Sequence, residues 1–518
     1  MLVKRAERPL ALALAIVMLS AIGATAARWC FERGYTLYYS DAEAHLDIAR
    51  RVIDSRTPGP EQFGAVRLPL PHVLMIPLVM GSAGNGDWWR SGLAGAIPSC
   101  LAFVLAGAFL FAASRRAYAS TSAAFAVALV FALNPNMLYL QSTPMTEALF
   151  AAGLSATVWA VVWFRDSQSA LAIVAAAAAS NAASLTRYEG WFVIPFIAVY
   201  LLLTAKRKWH AALFAALAAL GPLAWLAHNQ YYYSNALEFY NGPLSALSIY
   251  RRQLARGMQH YPGDHDWPTA VRYYFAAANL VIGLPLISGA GGAILMFFRR
   301  STLTRAVGPM LIFALPPAFY IWSMHSSGAP IFVPALWPFS WYNTRFAIAM
   351  LPLAAFATGA MVTIVPKRAR IYVALLLAAL PAADWWIVMK VKHQPAICWK
   401  EAEVNSAARR AWTAEAASFL AANYRSGSGI IHPFGDLTGV LREAGIPLRE
   451  SIHQGNTADW ILSVSRPYPG LRTEWALSFS GDEVSTALLR AHRYGKNYEL
   501  RKQIIVKGAP IVEIWQLR

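Results

Sequence analysis

The sequence predicts an α-helical polytopic membrane protein followed by a small soluble α/β domain. Of its 518 residues, 57% are hydrophobic and only 14% are charged, whereas ordinary soluble domains carry about 25% charged residues. Mean hydropathy is +0.39. The apolar residues gather in blocks long enough to cross a bilayer, and short Lys/Arg-rich turns separate the blocks. The formal net charge of +18 therefore reads as the positive-inside pattern of a membrane protein and not as a nucleic-acid surface.

The first apolar run, Pro9 to Ala27, is long enough to span and has no separate cleavable signal. Lys4, Arg5 and Arg8 before it place the N-terminus in the cytoplasm. Further spans are expected at about 91–114, 121–140, 145–164, 169–186 and 190–205, then about 209–227, 273–298, 306–324, 345–365 and 371–389, roughly eleven in all. Arg115-Arg116, Arg165, Lys206-Arg207-Lys208, Arg299-Arg300 and Lys367-Arg368-Ala-Arg370 then all fall inside. Leu68 to Met80 is short and proline-broken, and reads as an interfacial or re-entrant piece. The alanine-rich fifth span permits close helix approach. A polar, aromatic loop at about 228–270 lies outside. No internal repeat is visible.

Residues 1–390 thus form a transmembrane domain, and 391–518 an external α/β domain. In the latter, a helix is expected at about 401–424, strands at Gly429 to His432 and Trp460 to Ser465, and helices at Leu437 to Ala444 and Asp482 to His492. A closing hairpin pairs Tyr498 to Val506 with Pro510 to Leu517 around Lys507-Gly508-Ala509. Asp436 reads as a helix cap. No catalytic motif is visible there.

Four polar groups fall on the outer side. The first lies in the loop after span one: Ser40-Asp41-Ala-Glu43-Ala-His45-Leu-Asp47, continuing to Arg67 and His72. Ser40 and Glu43 read as a capping box, and Asp41 falls in the first turn, where the helix dipole favours negative charge. Ala42, Leu46, Ala49 and Ile53 line one face and Glu43, Asp47, Arg50 and Asp54 another. That pattern fits an amphipathic helix along a membrane surface. The second group is Thr143-Pro144-Met-Thr146-Glu147, with Thr143 as N-cap and Pro144 at N1. The third is Thr186-Arg187-Tyr188-Glu189-Gly190-Trp191. The fourth is Trp341-Tyr342-Asn343-Thr344-Arg345. Capping, a local Arg187–Glu189 pair, or snorkelling of Arg345 accounts for each alone. All four on one side, in a chain whose spans hold hardly any charge, point to a site at the outer membrane boundary. Carboxylates and arginines together suit a transferase acting on a lipid-linked phosphate.

These motifs resemble the GT-C superfamily of membrane glycosyltransferases, nearest its bacterial protein-mannosyltransferase-like and aminoarabinose-transferase-like branch. The resemblance covers roughly residues 1–390. It rests on Asp41 to Arg50, on Arg67-Leu-Pro69-Leu-Pro71, and on Thr146-Glu-Ala-Leu-Phe150. It also rests on Thr186-Arg-Tyr-Glu-Gly190 and Tyr342-Asn-Thr-Arg-Phe346. The commonest form of the loop begins Asp-Glu; here Ala42 separates Asp41 from Glu43, so which acid does which job stays open. The resemblance implies an inverting transfer of a sugar from a polyprenyl-phosphate donor to an acceptor hydroxyl or amine on protein, glycolipid or cell-wall glycan. It implies Asp41 as general base, and Arg345, then Arg187 and Arg67, on the donor phosphate. Glu43, Glu147 and Glu189 are supporting acids, and His72, Tyr188, Tyr342 and Asn343 line the site. Tyr231, Tyr232, Tyr233, Phe239 and Tyr240 pack on sugar or form an interfacial belt.

Members of this branch generally use no metal, though other superfamily members bind a divalent ion. His260, Asp264, His265 and Asp266 carry ligand-capable side chains without a diagnostic spacing. Cys30 and Cys398 both fall outside and could pair; Cys100 lies in span two. A transporter or flippase is the alternative class, but it calls for ionisable groups near the midplane and often for repeats. Partners are the bilayer, the lipid-linked donor and the acceptor, at the outer face of the cytoplasmic membrane.

Overall fold

The computed structural model describes residues 2–81, 87–298, 300–391 and 393–518. Arg299 lies outside the described residues, as do the side chains of Lys4, Arg5, Arg8 and Arg300. The chain forms two compact units. One comprises Met1–Gly34, Ala65–Leu70 and Ala96–Glu401; the other comprises Tyr35–Gly64, Pro71–Gly95 and Ala402–Arg518.

The first unit is helical and multi-pass. Among the described residues, seven helices are long and apolar enough to cross a membrane: Pro9–Glu32, Leu93–Tyr118, Glu147–Ser167, Trp209–Tyr233, Arg305–His325, Thr344–Thr363 and Arg370–Val391. A pair bent by 110°, Trp267–Ile282 and Leu284–Met296, makes an eighth if counted as one span. The eighth expected span is thus broken. Gly283 between the halves has φ +66°, which only glycine adopts freely, and the Asp384 carboxylate accepts from the Leu284 N–H. The other expected spans are the shorter helices Thr121–Ala132, Ala170–Ser184 and Glu189–Thr204. The first of these stops at Asn134, whose side chain caps a separate turn, Pro135–Leu140, through the Met137 N–H.

Helix approach in this unit relies on small residues. Gly190, at the start of Glu189–Thr204, lies so close to the preceding helix that a Cβ there would sit 2.6 Å from the backbone nitrogen of Ser184. Cys30 and Cys398, which could have paired, form no disulfide; all three cysteines are free.

In the second unit the first-loop segments share a core with the C-terminal part. Leu46, Ala49, Met75, Val79 and Trp89 pack with Trp412, Leu420, Val440, Leu441, Trp475 and Ile514. The helix Ser40–Ile53 therefore differs from an amphipathic surface helix. Its apolar face is buried, and so are Glu43, Asp47 and Arg51 on the other side. The capping box is also absent. Ser40 is the first helical residue, behind Tyr39, and donates its hydroxyl to Asp436 at 2.9 Å. Asp436 accordingly takes a side-chain donor and does not cap the next helix. The proline-containing stretch forms the 12-residue helix Leu70–Gly81.

The C-terminal sheet has strands β1 (Ile430–Ile431), β2 (Ser451–Ile452), β3 (Trp475–Phe479), β4 (Tyr498–Ile504) and β5 (Val512–Leu517), in the order β2-β1-β3-β5-β4. β2, β1 and β3 are parallel, and the hairpin β4–β5 joins β3 antiparallel. Trp460 to Ser465 is not a strand. It belongs to the helix Thr457–Ser465, with Trp460 and Ser463 buried and Ile461 and Leu462 exposed. A short apolar run is ambiguous between the two states, and the buried positions follow the helical period. The third strand is instead Trp475–Phe479, and the expected hairpin is present.

Candidate active site

The first unit assembles three of the four polar groups around one cavity. Glu147, Arg187, Glu189, Tyr320, Arg345 and Phe346 give it a charged and aromatic wall; Met137, Phe150, Leu154, Ile348 and Pro352 give it an apolar one. Charges that recur at such depth need partners, and here each has them.

Glu147 opens the helix Glu147–Ser167. Thr143 is not its N-cap: the Thr143 hydroxyl donates to the Leu140 carbonyl, and Thr146 occupies the cap position. Arg187 lies in the turn before Glu189–Thr204 and is the hub. Its Nε donates to Glu189 at 2.7 Å, its Nη1 to Glu147 at 3.0 Å and to Thr146 at 2.8 Å, and its Nη2 to Tyr320 at 2.6 Å. The Tyr320 hydroxyl donates in turn to Glu189. The local Arg187–Glu189 pair is thus part of a wider network. The Glu147 Oε2 atom is buried without a hydrogen-bond partner among the described residues.

Arg345 stands in the 3₁₀ turn Thr344–Met350, entered through Asn343 at φ +53°, a left-handed conformation that Asn tolerates. Arg345 is 7% exposed. Its Nε is 3.4 Å from Glu147 and its Nη1 3.4 Å from Glu401, and Phe346 lies beneath both guanidinium groups. Glu401 was outside every sequence motif. It accepts from the Thr344 N–H at 2.8 Å and from the Thr344 hydroxyl at 2.5 Å. Burial pushes its carboxyl up, and Arg345 pulls it back. Its only sequence signal was a charge at the start of a helix. With all groups ionised, Glu147, Glu189 and Glu401 face Arg187 and Arg345.

Around this cluster the Tyr188 hydroxyl donates to the Val66 carbonyl and receives the Trp225 indole N–H, while Phe239 stacks on the Tyr188 ring. Arg67 is half-buried in the same 65–70 segment. Asn343 donates to the Pro330 carbonyl. Tyr342, 47% exposed, bridges to Phe332. Tyr231 is exposed, at the end of a helix that continues to Tyr233.

Asp41, Glu43 and His72 belong to the second unit. Asp41 is half-buried in the first turn of Ser40–Ile53. Glu43 is committed to two ion pairs, with Arg409 and with Arg442 at 2.9 Å. His72 is buried, its Nε2 2.9 Å from Nδ1 of His45. Among the described residues no three His, Cys, Asp or Glu side chains are grouped to hold a metal ion. His260 and Asp264 pair at 2.6 Å, and Asp264 also accepts from Tyr250 and Ser327.

Paired arginines and carboxylates wall a cavity among the apolar helices of a multi-pass membrane protein. Residues 88–232 match the family model of dolichyl-phosphate-mannose-protein mannosyltransferases. The crystal structure of ArnT from Cupriavidus metallidurans bound to undecaprenyl phosphate is similar over 96% of this chain and 97% of that one, with TM-score 0.56 and 14% identity. Its apo form gives TM-score 0.54 at 14% identity and the same coverage. The Archaeoglobus fulgidus oligosaccharyltransferase in complex with zinc and sulfate aligns over 96% of this chain and 72% of that one, with TM-score 0.48 and 13% identity. No curated protein sequence matches the chain. The chain shares its fold with that ArnT structure.

Proposed function

We propose that this protein is an inverting glycosyltransferase that moves a sugar from a polyprenyl-phosphate donor to an acceptor hydroxyl or amine. The observation that carries the reading is the cavity walled by Arg187, which bridges Glu147 and Glu189, and by Arg345, beside Glu147 and Glu401, in a fold shared with ArnT, which has been crystallised with undecaprenyl phosphate.

Arg345 is the first choice for the donor phosphate. It walls the cavity, with Glu147 and Glu401 each 3.4 Å from its guanidinium, and a guanidinium is suited to phosphate oxygens. Arg187 holds Glu147 and Glu189 in place; Arg67 is a further cation for the phosphate. As the anomeric C–O bond breaks, negative charge grows on the departing polyprenyl phosphate, and fixed cations stabilise that change. Asp41 serves as the base. Its ionised carboxylate takes the proton of the acceptor as the acceptor attacks the anomeric carbon. One in-line displacement inverts that carbon, and no carboxylate ester is formed. Glu43, His72, Tyr188, Tyr342 and Asn343 support these groups. No metal is assigned a step.

In this reading residues 1–390 are the catalytic transmembrane part, apart from Glu401, and residues 391–518 are an external accessory part. The site faces the outer side of the cytoplasmic membrane, with the N-terminus inside. Hexosyl and pentosyl donors both suit the chemistry. The test is transfer of radiolabelled sugar from a panel of polyprenyl-phosphate sugars into a membrane fraction, with Asp41→Asn as control. Transfer abolished in Asp41→Asn supports the reading. Undiminished transfer in that variant removes Asp41 as base, and no transfer from any donor by the wild type removes the donor class.

A further inference from the structure

Arg345 is aimed by a backbone turn, and that turn is tied down from outside the motif. Asn343 enters it with a left-handed backbone. The next N–H, that of Thr344, would be an orphan donor at the start of a 3₁₀ helix. Glu401 takes it at 2.8 Å and takes the Thr344 hydroxyl with the same Oε2. The second oxygen, Oε1, faces Nη1 of Arg345. One carboxylate thus fixes both the peptide that carries Arg345 and one edge of its guanidinium. Glu401 is 1% exposed, and among the described residues its hydrogen bonds go to this one turn. A carboxylate buried at such cost only to cap a turn could be replaced by a neutral acceptor; its second oxygen on the arginine argues for more.

We infer that Glu401 is a positioning residue that sets the direction in which Arg345 meets the donor phosphate. The assignment rests on the donor-phosphate reading above. Glu401 touches no substrate atom; it acts through Arg345. Its position 56 residues beyond Arg345 places this function on the helix Ile397–Asn423, past the last apolar span.

The test is the affinity of the full-length detergent-solubilised protein for polyprenyl phosphate, measured by native mass spectrometry against ordinary phospholipid. Arg345→Ala should lose about tenfold or more, the scale of a lost hydrogen bond to a charged group. Glu401→Ala should lose a comparable factor, and the double variant no more than Arg345→Ala alone, because the two act as one unit. Glu401→Gln keeps an acceptor for Thr344 but puts a neutral amide where Oε1 faces Arg345, and should lose more than about threefold. Should Glu401→Ala fail to fold, Glu401→Asp, which keeps the charge but withdraws it, must show the loss. Wild-type affinity in Glu401→Ala or Glu401→Asp, or an added loss in the double variant, overturns the inference and leaves the donor reading standing. No preference for polyprenyl phosphate in the wild type overturns both.

Discussion

Glu43 accepts a hydrogen bond from Nη2 of Arg442 at 2.9 Å across 399 positions of sequence. Arg409 closes on its other oxygen, and all three side chains are buried. Breaking a buried pair by removing one partner costs about 3–5 kcal/mol. Glu43→Ala should therefore loosen the helix Ser40–Ile53, seen as a rise in amide hydrogen exchange there. Asp41→Asn, at a half-buried first-turn position, should leave exchange in that helix nearly unchanged while removing most turnover. Equal exchange in the two variants would contradict the assignment to Glu43, and not to Asp41, of holding this helix in place.

Gly190 fixes the spacing that lets Arg187 and Glu189 face the cavity. Gly190→Ala must push the Glu189–Thr204 helix away from Ser184, and we expect a cost of about 1–3 kcal/mol, typical of overpacking. The readout is the thermal midpoint in detergent together with polyprenyl-phosphate affinity, both of which should fall. Unchanged values would show that the two helices give way without disturbing the cluster.

Asp47 supplies a pH dependence. Burial lifts its carboxyl to about 7, while Arg442 and the Trp89 indole N–H pull it back. A folded pKa above the unfolded one means that its contribution is present below about pH 4 and is lost as pH rises through about 7. Asp47→Asn, which keeps an acceptor for Trp89, should protect the Ser40–Ile53 amides more than wild type at pH 8. The gain should shrink toward pH 4. A gain independent of pH would contradict the cause.

His432 and His453 act in the opposite direction. They follow β1 and β2, their rings lie 5.9 Å apart, and both are buried. Burial holds His432 near 3 and His453 well below the usual imidazole range. Stability from keeping them neutral is present above about pH 6.5 and is lost as pH falls below it. Exchange at β1 and β2 should rise between pH 6.5 and 5. His453→Asn, which preserves the acceptor for the Gly455 N–H, should flatten that rise. An equally steep rise in the variant would assign it to other groups.

The sequence spoke most clearly where one physical variable dominates. Apolar blocks bounded by Arg and Lys marked the helices of the first unit, and the closing hairpin announced itself by alternation around Lys507-Gly508-Ala509. Breaks inside an apolar run were silent: a single Gly283 bends one span by 110°, and hydropathy does not register it. The run at Trp460 was misassigned because six residues cannot separate a helical period from a strand. Within the site, Glu147, Arg187, Glu189 and Arg345 were legible as charges where charge is expensive. Glu401 was not, because a glutamate in a polar helix is unremarkable until Thr344 and Arg345 are brought against it. The partners of Glu43 were equally hidden, lying hundreds of residues away with no local pattern.

The most direct test of the central claim needs no acceptor: retention of polyprenyl phosphate by the purified protein in native mass spectrometry, wild type against Arg345→Ala. The account predicts retention well above that of ordinary phospholipids in the wild type and its loss in Arg345→Ala. Retention no greater than that of ordinary phospholipids, or equal retention in both proteins, would contradict a donor-phosphate site at Arg345.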